Sequence, residues 1–158
     1  MSSTRMTVGI IADTHGLMRP EAIEALRGSD HILHAGDIGT PEILDALCAL
    51  APLSVIRGNN DDKPWAADLP DVLTVDLAGV RLHMLHDRKE LDRYPAPTGT
   101  QVIIAGHSHK PLLEWRGELL HLNPGAAGRR RFRLPITVAR LLIDDGRIEA
   151  EHIDLLPT

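Results

Sequence analysis

Five apolar runs in this chain end on residues that bind metals. Val102-Ile103-Ile104-Ala105-Gly106 leads into His107-Ser108-His109, and the other runs lead into Asp13-Thr14-His15, Gly36-Asp37, Gly58-Asn59 and His86. Neutral imidazole and carboxylate are ligands for divalent transition metals, and asparagine adds a carbonyl oxygen. Two aspartates, four histidines and one asparagine can saturate two ions and still leave positions for water and substrate. Two ions roughly 3.5–4 Å apart can clamp the attacking and leaving oxygens of an in-line displacement at phosphorus, and a carboxylate is suited to bridging them. The spacing of two in Asp13-x-His15 and His107-x-His109 puts both members of a pair on one side of an extended segment, so each pair is expected to face a single cleft. On spacing alone, His107 and His109 read as a pair for one ion.

The elements that must position these residues are readable from apolar patterning. Thr7–Ala12, His31–Ala35 and Leu53–Ile56 read as buried strands. Between them lie short helices: Pro20 to Arg27, stopped by Gly28, and a second opened by Thr40-Pro41 and lined by Ile43, Leu44, Leu47 and Leu50. Thr40 is suited to cap that helix. Strand, helix, strand, helix, strand argues for a parallel α/β unit, whose ligands gather at the carboxyl ends of the strands. Asp13, His15, Asp37 and Asn59 all stand at those ends.

After Pro70 the pattern changes to hairpins. Asp71–Leu77 alternates and Val80–Leu85 returns, delivering His86. Residues 87–100 read as a loop with at most a helical turn near Lys89–Tyr94. The strand ending at Gly106 follows, then a hairpin of Leu112–Trp115 with Glu118–Leu122 and a last one of Ile136–Ile143 with Arg147–Ile153. The resulting fold class is α/β (α+β), two packed sheets with helices outside.

Composition sets the bounds. The 158 residues suit one domain, 1–158, with a real core; 43% are hydrophobic but only 3% aromatic, so Leu, Ile, Val and Ala must build that core. A formal charge of −5 argues against nucleic acid as a partner. Cys48 stands alone and reads as a small buried hydrophobe. The apolar run Val8–Ala12 is too short for a signal-peptide core, and no stretch approaches a membrane span, so the cytoplasm is the expected location and no membrane partner is expected.

Taken in order, Asp13-Thr14-His15, Gly36-Asp37, Gly58-Asn59-Asn60-Asp61, His86 and Gly106-His107-Ser108-His109 resemble the motif set of the calcineurin-like metallophosphoesterases. The resemblance is to their small bacterial and archaeal branch, which also contains the retromer scaffold subunit. It spans residues 7 to about 125, with Asn123-Pro124-Gly125 similar to that branch's turn after the site. It implies two mixed sheets packed face to face with flanking helices. It also implies that Asp13, His15 and His109 hold one divalent ion, that Asn59, His86 and His107 hold the other, and that Asp37 bridges. Manganese is the first expectation for the metals, with iron, nickel or zinc as alternatives. A hydroxide bridging the ions would attack phosphorus, with Asp37, Asn59, Asn60, His86 and His107 as the catalytic set. The implied function is a phosphodiesterase acting on a small phosphorylated substrate. The alternative from another class is a scaffold of the same fold that binds metal and hydrolyses nothing.

Two positions depart from the family pattern. Asn60 stands where larger members carry a histidine; an amide can donate to a phosphate oxygen but is no general acid, which favours diesters or activated esters. Asp87 follows His86 where glycine is frequent, and either orients an imidazole or is solvated. His34 is either a neighbour of the site or structural, while His31, His83, His121 and His152 are expected to be structural or exposed. Arg57 and Arg129-Arg130-Arg131 are either solvated or fork onto a substrate phosphate. Trp65 and Trp115 are expected in the core. A hairpin edge or the loop near Trp65 leaves room for a homodimer.

Overall fold

The computed structural model describes residues 5–157. Its elements run β1 (Arg5–Ile11), α1 (Pro20–Leu26), β2 (His31–His34), α2 (Pro41–Cys48), β3 (Leu53–Val55), β4 (Val72–Leu77), β5 (Val80–Leu85), β6 (Thr100–Ile104), β7 (Leu112–Arg116), β8 (Leu119–Asn123), β9 (Thr137–Asp144) and β10 (Arg147–Asp154). Single 3-10 turns stand at Pro64–Ala66 and Arg88–Glu90. They form two five-stranded sheets, ordered β10-β9-β1-β2-β3 and β4-β5-β6-β8-β7. Both sheets are mixed. β1, β2 and β3 are parallel neighbours, as are β5, β6 and β8, and the hairpin partners on either side are antiparallel.

The period of two explains the layers. On β1, Val8 and Ile10 face the other sheet and meet Leu33, Leu82, Val102, Ile104 and Leu141 in the main core. Ile11 points the opposite way, into a second core with Ala22 and Leu26 of α1 and Ile43 and Leu47 of α2. A third, smaller cluster lies outside β5 and β6, where Leu85, Ile103 and Ala105 are covered by Leu91, Tyr94 and Ala96 from the 87–100 loop. Branched aliphatic residues fill all three, as a chain with 3% aromatics requires. Burying such a side chain is worth roughly 1.5–3 kcal/mol.

The strands carry the expected topology, and each expected element is present with ends shifted by one to a few residues. Three local expectations fail. Thr40 makes no side-chain cap bond, so α2 starts on Pro41 alone. Cys48 is exposed, because it is the last residue of α2 and the helix turns it outward. Trp115 is 45% exposed on β7, the edge strand of its sheet. Trp65, by contrast, packs against the helix-side core.

The functional consequence of this architecture is geometric. The parallel strands of both sheets run the same way toward one rim of the sandwich. Ala35 N–H donates to Ile11 O and Gly106 N–H to His86 O, tying neighbouring strand exits together at 2.9 Å each. Every candidate ligand therefore leaves from one end of the molecule.

Candidate metal centre

The turns that present the ligands are made by left-handed backbone. Asp13 (φ 54°), His15 (φ 45°), Asp37 (φ 57°), His107 (φ 71°) and His109 (φ 65°) account for five of the eight non-glycine residues described with positive φ. Each such residue costs on the order of 1 kcal/mol or more and persists only where its surroundings impose it. An extended backbone would aim each i, i+2 pair at one cleft; the structure reaches convergence differently. All four residues of the two pairs are left-handed; Asp13 and His15 stay in one cluster, whereas His107 and His109 fall into two.

Those clusters are well defined. Ligand atoms of Asp13, His15 and His109 lie within 4.8 Å of one another, and so do those of Asp37, His86 and His107. They abut: Asp37 Oδ2 is 3.1 Å from His86 Nε2 and 3.7 Å from His15 Nε2, so one carboxylate reaches both. Asp13 Oδ1 stands 3.8 Å from His15, 3.7 Å from His109 and 3.9 Å from His86. Asn59 is exposed beside them, lining a cleft of about 570 Å³ together with His86 and His107.

Backbone amides and buried side chains hold this set. The His107 N–H donates to Asp13 Oδ2 at 3.0 Å, and the Asn60 N–H and Nδ2 donate to Asp37 at 2.9 and 3.2 Å. His86 Nδ1 lies 2.8 Å from Ala35 O, which makes Nδ1 the protonated nitrogen and aims Nε2 at the carboxylates. The approach is so close that a Cβ on Gly36 would sit 2.7 Å from His86 Nδ1, and one on Gly58 would overlap Asp37. Only glycine fits at either position.

Two positioning groups carry little signal in the sequence. Asp61 is 2% exposed and accepts from Ile38 N–H (3.0 Å to each oxygen), Gly39 N–H (3.1 Å) and Gly58 N–H (2.9 Å), lacing the Asp37 turn to the Asn59 turn. Its one sequence signal is its place at the end of Gly58-Asn59-Asn60-Asp61. Asn123, at the end of β8, donates from Nδ2 to Gly106 O (3.0 Å) and Ser108 Oγ (3.1 Å), steadying the turn that carries His107 and His109.

His34 resolves as structural. Its Nδ1 accepts from Gly36 N–H at 3.0 Å, so Nε2 is the protonated nitrogen and donates to Thr14 Oγ1, also at 3.0 Å; Thr14 then donates to Ile38 O at 2.8 Å. Burial drives its pKa down to about 3, so the ring is neutral. His83 and His31 likewise hold structural bonds, to Thr74 and Tyr94 O and to Ser54 respectively. Asp87 accepts from Lys89 N–H at 3.0 Å and stands 3.7 Å from His107 Nε2. Arg57 forks onto Asp71 at 2.8 and 3.0 Å, and Arg129, Arg130 and Arg131 are exposed.

The donor set fits divalent ions on its own electrostatics. Asp13 Oδ1 and His15 Nε2 are buried without a hydrogen-bond partner 3.8 Å apart, and His86 Nε2 has only its 3.1 Å ion-pair contact with Asp37. Unpartnered buried polar atoms each cost about 1–3 kcal/mol, and a carboxylate oxygen and imidazole nitrogens converging on one spot call for a cation. Burial, reinforced by Asp37, pushes the Asp13 carboxyl up to about 7. Burial and the Arg131 charge pull His109 down to about 4. Burial opposes ionisation of Asp37 and His86 too, but their mutual attraction wins, leaving Asp37 at about 2 and His86 at about 9.

Comparison with known proteins agrees with this geometry. Residues 6–146 match the family model described as the calcineurin-like phosphoesterase superfamily domain. A probable metallophosphoesterase of Methanothermobacter thermautotrophicus is 33% identical over 160 residues, covering 94% of this chain and 92% of its own. Among solved structures, a predicted phosphoesterase of Streptococcus pneumoniae superposes with a TM-score of 0.73 at 23% identity, covering 98% of this chain and 91% of that one. Vacuolar protein sorting 29 of Cryptosporidium parvum superposes with a TM-score of 0.76 at 16% identity, covering 95% and 97%. No helix among the described residues is long and apolar enough to cross a membrane.

Proposed function

The chain belongs to the calcineurin-like phosphoesterase superfamily, a metal-dependent family, and on that premise we propose that it is a dinuclear phosphodiesterase. Asp13, His15 and His109 would hold one ion and Asn59, His86 and His107 the other, with Asp37 placed to serve both. The observation that carries this reading is the convergence of unpartnered, buried ligand atoms on two abutting clusters. Two divalent ions would supply the positive charge that activates water near neutral pH and stabilises the oxygens of a phosphoryl group in flight. Manganese leads the proposed metals, with iron, nickel and zinc behind it.

The chain's own residues orient and discriminate. Asn60 holds Asp37 through two donors and presents an amide at the cleft. Asn60, as an amide, cannot supply the proton that a poor alkoxide leaving group would need. That supports a small phosphodiester or an activated ester: a P–O bond to water forms as the P–O bond to the better leaving group breaks. A cytoplasmic setting is supported by the single cysteine.

A second reading, a metal-binding scaffold without turnover, is compatible with the superposition on vacuolar protein sorting 29. One experiment separates the two. The protein is stripped with a chelator and hydrolysis of bis(p-nitrophenyl) phosphate is followed as manganese is restored. Turnover should vanish and return, and His107→Ala should abolish its return. Full turnover without metal, or in His107→Ala, overturns the proposal; bound metal without turnover selects the scaffold.

A further inference from the structure

A second cavity, of about 340 Å³, lies on the other side of the Asp87 turn from the cleft that holds Asn59. Asp87 lines both. Ile103 and Ala105 line the second cavity from β6 and the turn after it, as do Leu112 and Leu122 from β7 and β8. Arg88, Lys89 and Lys110 line it with charge. None of these three has a carboxylate within ion-pair distance among the described residues, in a chain whose net charge is −5. Glu114 is within electrostatic range of Arg88 but is paired with Arg116. Arg88 Nη1 is buried and has no hydrogen-bond acceptor at all.

Arg88 Nη1 has lost water and gained no acceptor, so nothing in the fold neutralises the guanidinium, and its remaining atoms line the cavity where an oxyanion would meet them. The apolar residues beside it can cover hydrocarbon. The cavity is in the size range of small-ligand pockets, with the expected mixture of an apolar lining and a few polar groups. Its other neighbours tie it to the metal centre: Gly106 and Ser108, on either side of His107, line it as well.

We propose that this cavity is a subsite for an organic oxyanion, a carboxylate or phosphate on an apolar body, forming one arm of the ester substrate. Arg88 forks onto the oxyanion, Lys110 adds charge at the mouth, and the side chains of Ile103, Ala105, Leu112 and Leu122 take the body. The identity of the ligand as a substrate arm rests on the phosphoesterase reading; the binding site does not. The cleft on the opposite side of Asp87 contrasts with it: Asp87 faces both, but Asp62 and Glu90 line that cleft alone, and its arginines are already paired, Arg57 with Asp71 and Arg93 with Glu90. An ester with its phosphorus at the metal centre would direct its anionic arm toward Arg88 and its neutral or cationic arm toward Glu90.

The test uses the metal-stripped full chain and 2-naphthoate, with 2-naphthol as the neutral control, followed by isothermal titration or chemical-shift changes. Saturable 2-naphthoate binding is expected, tighter than 2-naphthol, and weakened at least tenfold in Arg88→Ala and several-fold in Lys110→Ala. Lys110 is exposed, so its variant remains informative if Arg88→Ala folds poorly. Equal binding of acid and alcohol, or binding indifferent to both variants, overturns the proposal. With the metal-loaded enzyme, p-nitrophenyl phosphodiesters with and without an aryl carboxylate on the second arm are compared. Arg88→Ala should raise KM for the carboxylate ester alone and leave kcat. Equal KM changes for both esters overturn the substrate-arm assignment. Binding retained without any turnover overturns the phosphoesterase reading and leaves the anion site standing.

Discussion

The two ligand clusters sit side by side yet have opposite electrostatic characters. Asp13 and His109 are 0% and 3% exposed, and burial pushes each toward neutrality. The second cluster opens on the cleft, and Asp37 and His86 already neutralise each other as an ion pair 3.1 Å apart. The first cluster therefore has neutral imidazoles waiting for a cation. The first need shed only the proton that burial holds on Asp13, whereas the second must give up the His86 proton and an internal attraction before it takes a cation. Metal-free, the site is half frustrated and half satisfied, which predicts sequential loading with the Asp13 cluster first.

Removing the shared group should break both halves at once. Asp37→Ala takes away the carboxylate that reaches His15 and His86, and should lower manganese-restored hydrolysis by on the order of 10³-fold, about 4 kcal/mol of lost transition-state stabilisation. Metal content should drop toward one ion per chain. An unchanged stoichiometry of two would contradict the bridging role.

A pH series sharpens the contrast. His86 is held near 9 in the metal-free protein, so it is protonated at neutral pH and must be deprotonated to bind an ion. Affinity for the second ion should rise by up to about tenfold per pH unit between pH 6 and 8, with proton release visible as a buffer-dependent heat of binding. The first ion should release its proton from Asp13 and none from His109, so its pH dependence should flatten above about pH 7 while that of the second continues. Two ions with identical pH dependence would remove the distinction between the clusters.

Asp61 tests how far the second cluster depends on its supports. Asp61→Ala would strand the amides of Ile38, Gly39 and Gly58, all of which donate to it now. Groups that orient metal ligands are typically worth about 10–100-fold in metal affinity. The loss should fall on the ion held beside Asn59, with the Asp13 cluster loading normally; equal losses at both would show Asp61 to be a general stabiliser.

Much of this arrangement is legible in the amino-acid sequence. The alternation of strand and helix from Thr7 to Ile56 fixes which strand ends face together, and all seven candidate ligands stand where the strands of the sandwich exit. The split of His107 and His109 onto different clusters is not readable from spacing, because the backbone there is left-handed and not extended, and the same backbone keeps Asp13 and His15 together. Only the family resemblance assigns them to separate ions. Asp61 and His34 are obscure for a related reason. Their partners are amides and a hydroxyl brought in from distant turns, such as Ile38 and Thr14, and no local pattern records those bonds. Cys48 and Trp115 illustrate the remaining limit: composition argues for burial, but a helix end and an edge strand overrule it.

The smallest expected effect isolates the frustrated half. Asp13 has a pKa of about 7 in the folded, metal-free chain against 3.8 for a free carboxyl. Between those values the folded state holds a proton that the unfolded state has lost, so this group's contribution to stability falls as pH rises from about 4 to about 7. His34 and His109 oppose that trend, since burial lowers both and their contribution grows as pH rises toward 6.5. The net profile of the parent is therefore a mixture, and the informative quantity is a difference. Asp13→Asn keeps the size and both histidines but carries no titrating carboxyl. With chelator present, urea melts at pH 5 and pH 7 should show the variant gaining on the parent by on the order of 1–2 kcal/mol across that interval. Saturating manganese should reverse the order, because the parent alone offers the ion a full carboxylate. Parallel profiles without metal would mean that Asp13 is already ionised and satisfied, and the two clusters would then differ in exposure but not in charge.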